Sequence, residues 1–184
     1  MHVVCINLKD NEKNILMCSN DNTVIHDDNK IFDSLDHERG YCVCARTWWI
    51  EKLMIERKAD IFYMDADIFL KSNILELFEI QKTCDIMVRA KEIKPNFRCN
   101  AGMIYIKNNE KNIKIVSEWK KRCINYGIKW MSDQNSLNDI IQKYFNVLNE
   151  ITYKNFPEKF NGISTNPNSV IVHMKGPKKL EELK

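Results

Sequence analysis

The sequence predicts an α/β protein with a mostly parallel sheet flanked by helices. Short β-branched runs alternate with amphipathic stretches along the whole chain, one of these runs, Ile61 to Met64, closes on two carboxylates, and 184 residues with 44% hydrophobic content suit one domain with one sizeable core. Val3 to Leu8 opens as a strand because apolar and β-branched residues dominate it, and Asn11 to Ser19 follows as a short helix. Thr23 to His26 is the second strand signal. Ala45 to Arg57 is a firmer helix, with Trp48, Trp49, Leu53 and Ile55 on an apolar face and Glu51, Lys52 and Glu56 on a wet one. Ile61 to Met64, Asp85 to Val88 and Met103 to Ile106 are further strands. Asn112 to Asn125 spaces Ile115, Trp119 and Ile124 as a helix does, Gln134 to Tyr144 does the same with Leu137, Ile140 and Ile141, and Val170 to His173 is the last strand.

Five Gly and four Pro are few, and no segment is repetitive or rich in Gly, Ser or Pro, so linkers and repeat architectures have no support. The apolar run at Val3 to Ile6 is too short for the core of a signal peptide, and nothing approaches the ~20 apolar residues of a membrane span. A soluble, cytoplasmic protein is expected. Seven Cys without a Cys-x-x-Cys pair read as reduced, partly buried thiols; Cys42-x-Cys44 remains open as a redox or metal pair. A formal net charge of +3 is too slight to mark a nucleic-acid binder.

In such sheets ligands bind beyond the carboxyl ends of strands. Ile61-Phe62-Tyr63-Met64 reads as a strand covered on both faces, and Asp65 and Asp67 follow where it emerges. In extended chain, residues two apart share a face, so these carboxylates are expected to point together across the small Ala66. Paired carboxylates are hard oxygen ligands suited to Mg²⁺ or Mn²⁺ carrying a substrate's phosphates. The alternative is a strand-end Asp capping the next element beside a solvated one. Val170-Ile171-Val172-His173 ends in a second candidate ligand, followed by Gly176, which lets backbone approach a phosphate, and by the point charges of Lys175, Lys178 and Lys179. A satisfied imidazole followed by a basic tail is the competing reading.

Taken in order, Met64-Asp65-Ala66-Asp67, Asn100-Ala101-Gly102, Asp133-Gln134 with Leu137-Asn138, Phe156-Pro157 with Phe160-Asn161, and His173 with Gly176 and Lys179 resemble the motif series of family 8 glycosyltransferases over nearly the whole chain. The run from Asn100 to Tyr105 and the later Trp119 are similar to the related nucleotide-diphospho-sugar transferase group as well. This resemblance implies one GT-A, Rossmann-like domain over residues 1–184, with a basic segment over residues 174–184 closing on the donor diphosphate. It implies that Asp65, Asp67 and His173 hold Mn²⁺ or Mg²⁺, that Asp65 and Ala66 lie against the donor nucleotide, and that Gly176 and Lys179 hold its phosphates. Asn100, Ala101 and Gly102 are implied to line the donor-sugar pocket. Asp133 is implied to accept hydrogen bonds from sugar hydroxyls, and Gln134 to lie beneath the anomeric carbon. Arg46 matches a donor-sugar arginine, though an ordinary charge on a helix surface explains it equally.

The reaction so implied moves a hexose from a nucleotide sugar, UDP-glucose or UDP-galactose, to a hydroxyl of a glycan, glycolipid or protein, with retention of configuration. A neutral amide such as Gln134 is a poor nucleophile, which favours same-face attack with the leaving phosphate as base. The chain is short for the family, with a modest interval between Asp67 and Asn100, so the acceptor side is the least defined. Trp48, Trp49 and Trp130 are candidates to stack on an acceptor, with core packing as the alternative for the first two. Three other classes stay in view. A haloacid-dehalogenase-like phosphatase would use Asp65 and Asp67, but it expects that motif near the amino terminus and a hydroxyl residue where Phe69 stands. A nucleic-acid module expects a stronger basic face, and nucleic acid as the acceptor is permitted without being supported. A degenerate transferase acting only by binding is the third.

Overall fold

A computed structural model describes residues 1–7, 9–18, 23–93, 96–160, 162–163 and 169–173, with the backbone alone at 15–18, 69, 91–93, 96–97, 162–163 and 173. The first apolar run forms β1 (His2–Ile6), which pairs in parallel with β2 (Val24–Asp28), with α1 (Asp10–Cys18) between them in sequence. The helix expected from Ala45 begins earlier, as α2 (Leu35–Arg57). Its first turns are polar and carry no apolar stripe. Local chemistry sets its start instead: Ser34 Oγ accepts the His37 N–H at 3.2 Å, and Asp36 and Glu38 lie at the positive end of the helix dipole.

β3 (Ile61–Met64) and β4 (Ile68–Leu70) follow, then α3 (Leu75–Gln81), β5 (Ile86–Ile93) and β6 (Asn96–Ile106). After α4 (Glu110–Asn125) and α5 (Ser132–Ile141) the chain makes a π-helical turn at Gln142–Val147, then β7 (Tyr153–Asn155), a 3₁₀ turn at Glu158–Phe160, β8 (Gly162–Ile163) and β9 (Ile171–His173). One sheet has the order β3-β6-β5-β7 and another the order β4-β9-β8. The α/β class is as expected, but the pairing is mixed where a mostly parallel sheet was expected. β3 and β5 both run antiparallel to β6, and β4 runs antiparallel to β9, while β5–β7 and β8–β9 are parallel. For β5 and β6 the reason is local. β5 ends at Ile93 and β6 starts at Asn96, and so short a connection can only join antiparallel neighbours.

The central sheet carries a core on each face, with the two-residue period of a strand visible in each. Ile86, Val88, Ala90, Ile104 and Ile106 pack with Ile50 and Met54 of α2, Trp119 of α4 and Ile140 of α5. Met87, Met103 and Tyr105 face the other way, onto Leu77, Phe156, Phe160 and Ile171. Trp119 and Tyr105 are each 1% exposed, so the apolar runs read from the sequence are filled layers. Gly40 of α2 allows one close approach: a Cβ there would stand 2.1 Å from the Ile128 carbonyl oxygen. The described cysteines, Cys5, Cys42, Cys44, Cys84, Cys99 and Cys123, are all free thiols, and Cys42 alone of them is exposed.

Candidate active site

At the end of β3, chain from four elements converges. β6 is bonded to β5 on one side and β3 on the other, and the two ladders fall out of step there. Val88 opposes Ile104 while the next residue, Arg89, opposes Asn100, so Ala101, Gly102 and Met103 are left out of the β5 ladder. On the other side Met103 still opposes Met64, and the Asp65 N–H donates to the Gly102 carbonyl at 2.8 Å. A bulge of this kind re-aims backbone and side chains, as bulges beside binding sites do. Asn100 Oδ1 accepts the Gly102 N–H at 2.8 Å, which leaves its Nδ2 as the donor that can meet a ligand. Ala101 is fully buried in the helix-side core, and it reaches the site through its carbonyl.

That carbonyl accepts from Arg46, which α2 delivers from above the sheet. The Arg46 side chain is 8% exposed, with Nε donating to the Val43 carbonyl at 2.8 Å and Nη1 lying 3.2 Å from Asp65 Oδ1. Its guanidinium carbon lies 5.1 Å from the centre of the Tyr63 ring, and the Tyr63 hydroxyl donates to Asp65 Oδ1 at 2.6 Å. Burial works against the guanidinium charge, but Tyr63, Asp65 and Asp133 together hold Arg46 above its ordinary value. The reading of Arg46 as a helix-surface charge is thereby set aside. Tyr63 was not singled out from the sequence. The signal for it was present, since Tyr63 and Asp65 are two apart and Tyr63 still lies in the strand.

The first turn of α5 completes the cluster. Asp133 is buried, its Oδ2 lies 3.5 Å from Arg46 Nε, and neither carboxylate oxygen has a hydrogen-bond partner among the described residues. Burial pushes its carboxyl above the usual range, while Arg46 and the N–H groups of Gln134 and Asp133 draw it back without forming hydrogen bonds of normal geometry. Its backbone is pinned, because the Trp119 indole N–H donates to the Asp133 carbonyl at 2.8 Å. Asn138, one turn on, accepts the Cys99 N–H at 2.6 Å and ties α5 to β6 beside Asn100. Gln134 Nε2 lies 3.3 Å from the Met131 sulfur.

The two carboxylates of the acidic motif do not lie on one extended strand. β3 stops at Met64, and the Ile68 N–H donates to the Asp65 carbonyl at 3.1 Å, so Asp65 to Ile68 is a turn with Ala66 exposed at it. The same-face argument therefore fails for Asp65 and Asp67, and their relation depends on the turn. The β4–β9 ladder sets His173 opposite Ile68, the residue after Asp67, so backbone pairing brings the candidate imidazole position to the acidic turn. Among the described residues no three His, Cys, Asp or Glu side chains form a metal-binding group. The His173 side chain, Gly176 and Lys179 lie outside the described residues. Trp48 packs against the helix-side core, Trp49 Nε1 donates to Asp28 Oδ2 at 3.3 Å, and Trp130 is 64% exposed.

The family model for nucleotide-diphospho-sugar transferases matches residues 7–182. The chain belongs to that family. No curated protein matches the sequence of this transferase. Its fold is that of solved glycosyltransferases, the GT-A arrangement expected from the sequence. It is similar to a glycosyltransferase involved in the glycosylation of the major capsid of PBCV-1, at 10% identity and a TM-score of 0.57 over 98% of each chain. It is also similar to the glycosyltransferase GlyE of Streptococcus pneumoniae TIGR4, at 15% identity and a TM-score of 0.55, over 97% of this chain and 47% of that one. The transferase has no helix long and apolar enough to cross a membrane among the described residues. Two surface grooves, of about 630 and 520 Å³, lie away from the Arg46 cluster, one lined by Lys111, Lys114, Tyr144 and Glu150, the other by Glu118, Arg122, Tyr126 and Asp139. Neither is lined by a candidate catalytic, donor-binding or metal residue named from the sequence. In the transferase the acidic motif follows the third strand, whereas a dehalogenase-type phosphatase requires it near the amino terminus.

Proposed function

We propose that this transferase moves a hexose from a UDP-sugar, UDP-glucose or UDP-galactose, to an acceptor hydroxyl with retention of configuration, using a divalent ion held by Asp65, Asp67 and His173. The observation that carries the reading is the Asp133 carboxylate, buried beside Arg46 with neither oxygen hydrogen-bonded among the described residues. A buried carboxylate without donors is costly unless a ligand supplies them, and sugar hydroxyls are donors of the right kind. Burial raises the Asp133 carboxyl, and Arg46 opposes that by favouring its charged, accepting form. Asn100 and the Gly102 backbone, re-aimed by the bulge, form the other wall of the sugar pocket in this reading, with Ala66 exposed on the nucleotide side. The Asp65 Oδ1 engaged by Tyr63 and Arg46 orients that carboxylate and leaves its other oxygen for a ligand.

Two carboxylates and an imidazole are a donor set that fits Mn²⁺, with Mg²⁺ as the harder alternative, and the β4–β9 register supports their proximity. Such an ion offsets the charge that develops on the departing diphosphate. Gly176 and Lys179, in the basic segment 174–184, are assigned to the phosphates, where Lys179 adds a positive charge and the segment excludes water. Gln134 is placed under the anomeric carbon, as in the family 8 pattern, where a neutral amide can hold a cation-like sugar by its carbonyl dipole. The incoming hydroxyl then loses its proton to the leaving phosphate on the same face. The acceptor is assigned to glycan, glycolipid or protein, and nothing in the charge distribution favours nucleic acid.

The test is release of nucleoside diphosphate from a panel of nucleotide sugars, with Mn²⁺ or with chelator. Turnover of a UDP-hexose that chelator removes and Mn²⁺ restores is expected, and Asp67→Ala and His173→Ala should each abolish it while the thermal transition stays cooperative. Chelator-resistant turnover, or an inverted product, counts against the reading.

A further inference from the structure

β5 carries a cation that the described fold does not neutralise. Arg89 is half-buried, and it has no hydrogen bond or ion pair among the described residues. Burial pushes its guanidinium below the usual value, with no carboxylate among the described residues opposing that push. Other partly buried cations are matched: Arg46 by Asp65 and Asp133, Arg122 by Glu118 and Asp139, Lys120 by Glu51. Holding a guanidinium out of water without a counter-charge is unfavourable, and Arg is the side chain best shaped to receive an oxyanion in two parallel hydrogen bonds.

The position of Arg89 says which oxyanion. It opposes Asn100 across the β5–β6 ladder, at the step where the bulge begins, and directly opposed residues share a sheet face. Val88 and Ala90 belong to the helix-side core, whereas Met87 lies in the opposite core with Ile171 of β9. The two-residue period therefore puts Arg89 on the face that carries β9, the strand ending at His173. Arg89 is thus across from a candidate sugar-pocket residue and on the same side as the candidate phosphate end.

From this juxtaposition we infer that Arg89 is an oxyanion-binding residue of the transferase site, receiving a phosphate or carboxylate oxygen of the nucleotide-sugar donor. The inference rests on the donor reading above, and it adds to the site a residue that none of the sequence motifs contains. The two sources share one chemistry. A phosphate contact would serve every donor alike, whereas a carboxylate contact would select a donor whose sugar is a uronic acid.

The experiment is isothermal titration of the full chain with UDP, UDP-glucose, UDP-glucuronate and inorganic pyrophosphate, in Mn²⁺, comparing wild type, Arg89→Lys and Arg89→Ala. Arg89→Ala is expected to weaken binding about 10- to 100-fold, as loss of a charge-assisted pair does, and Arg89→Lys to recover part of it. An equal loss for UDP and both sugars assigns the diphosphate, and a loss confined to UDP-glucuronate assigns the sugar carboxylate. The melting temperature of the variant should match or exceed wild type, since an uncompensated charge is removed. If it falls, Arg89→Met keeps the stem packing and the titration is read on that variant. Wild-type affinity for all four probes in the Ala and Met variants overturns the inference, as does a wild type that binds none of them. Arg89-dependent pyrophosphate binding without nucleotide-sugar turnover would leave the anion site standing and remove the donor reading instead.

Discussion

Arg46 Nε stands 3.5 Å from Asp133 Oδ2, joining the middle of α2 to the first turn of α5 across the bulge of β6. The pair is unequal. Arg46 also has Asp65, the Ala101 carbonyl and the Val43 carbonyl, whereas Asp133 has Arg46 and the weak bias of a helix start. Asp133 is therefore the member whose burial is least compensated.

Stability should follow from that inequality. The folded carboxyl of Asp133 binds its proton more tightly than the unfolded one, so between the ordinary carboxylate range and the raised value the folded state holds more protons. Its contribution is accordingly greatest in acid and is lost as pH rises through that window, opposite to the usual salt-bridged carboxylate. Asp133→Asn removes the charge and keeps the shape. The variant should be as stable as wild type near pH 7, or more so, while donor turnover falls about 100-fold, the size expected for a group preorganised toward substrate. Thermal melts at several pH values with turnover in parallel decide it. A variant that melts lower at pH 7 yet keeps its turnover would make Asp133 a structural residue.

Glu118 supplies the opposite sign. Burial would raise its carboxyl, but hydrogen bonds from Lys143, Tyr144 and Arg122 prevail and hold it down to about 2. Stability from this group is present above the ordinary carboxylate value and should be lost as pH falls from about 4.5 toward 2, by on the order of 1 kcal/mol once screening of this surface network is allowed for. Glu118→Gln should flatten that limb of the melting-temperature profile and leave the profile above pH 6 parallel to wild type. An unchanged acid limb would show that the network is not holding the carboxylate.

Much of the site was legible because its residues close apolar runs. Ile61 to Met64 announced a covered strand, and Asp65 is where that strand ends. The β5–β6 hairpin was not legible beyond its apolar ends. From Arg89 to Arg98 charged residues interrupt any run, and no Asn-Gly or Asp-Gly pair marks a tight turn, so alternation with helices argued for parallel strands instead. The burial of Asp133 was hidden for a different reason. An acidic residue in a first helical turn reads as solvated and dipole-favoured, and only the arrival of α2 over the bulge encloses it. Asp65 and Asp67 show the limit of periodicity, because the face rule holds only while the chain stays extended, and a turn starts at Asp65 itself.

Gly40 tests whether the approach of α2 to the loop before α5 is rigid. A methyl group there meets the Ile128 carbonyl oxygen at 2.1 Å and its carbon at 2.9 Å, both backbone atoms. Gly40→Ala should cost about 3 kcal/mol or more, at the upper end of overpacking, and should lower turnover too, since the displaced loop leads into Asp133. Gly127→Ala is the control. At φ +84° it is strained, but the nearest atom is the flexible end of Lys129 at 3.3 Å, so a loss of about 1 kcal/mol is expected. Denaturant titration of both variants settles the order, and equal losses would mean that the helix can slide to make room.

Trp130 lies in the same loop, between residues held in unusual backbone. Gly127, Ile128 and Met131 all have positive φ, at 84°, 50° and 72°. For β-branched Ile128 this is a strained conformation, which surrounding contacts must maintain. They are visible: the Lys129 N–H donates to Ser132 Oγ at 2.9 Å, and the Ile128 N–H to the Cys123 carbonyl at 3.2 Å. The loop packs Ile128 against the helix-side core and presents a 64% exposed indole three residues before Asp133. A flat aromatic three residues before Asp133 of the proposed sugar pocket is suited to the apolar face of an acceptor ring. Trp130→Ala should change stability by less than about 0.5 kcal/mol, as surface substitutions do, and raise the acceptor KM about tenfold, with transfer falling more than donor hydrolysis. Trp130→Phe should restore most of the transfer. If Trp130→Ala lowers kcat for hydrolysis and transfer equally, the indole is shaping the α5 start rather than meeting acceptor, and the acceptor must be sought on another wall of the site.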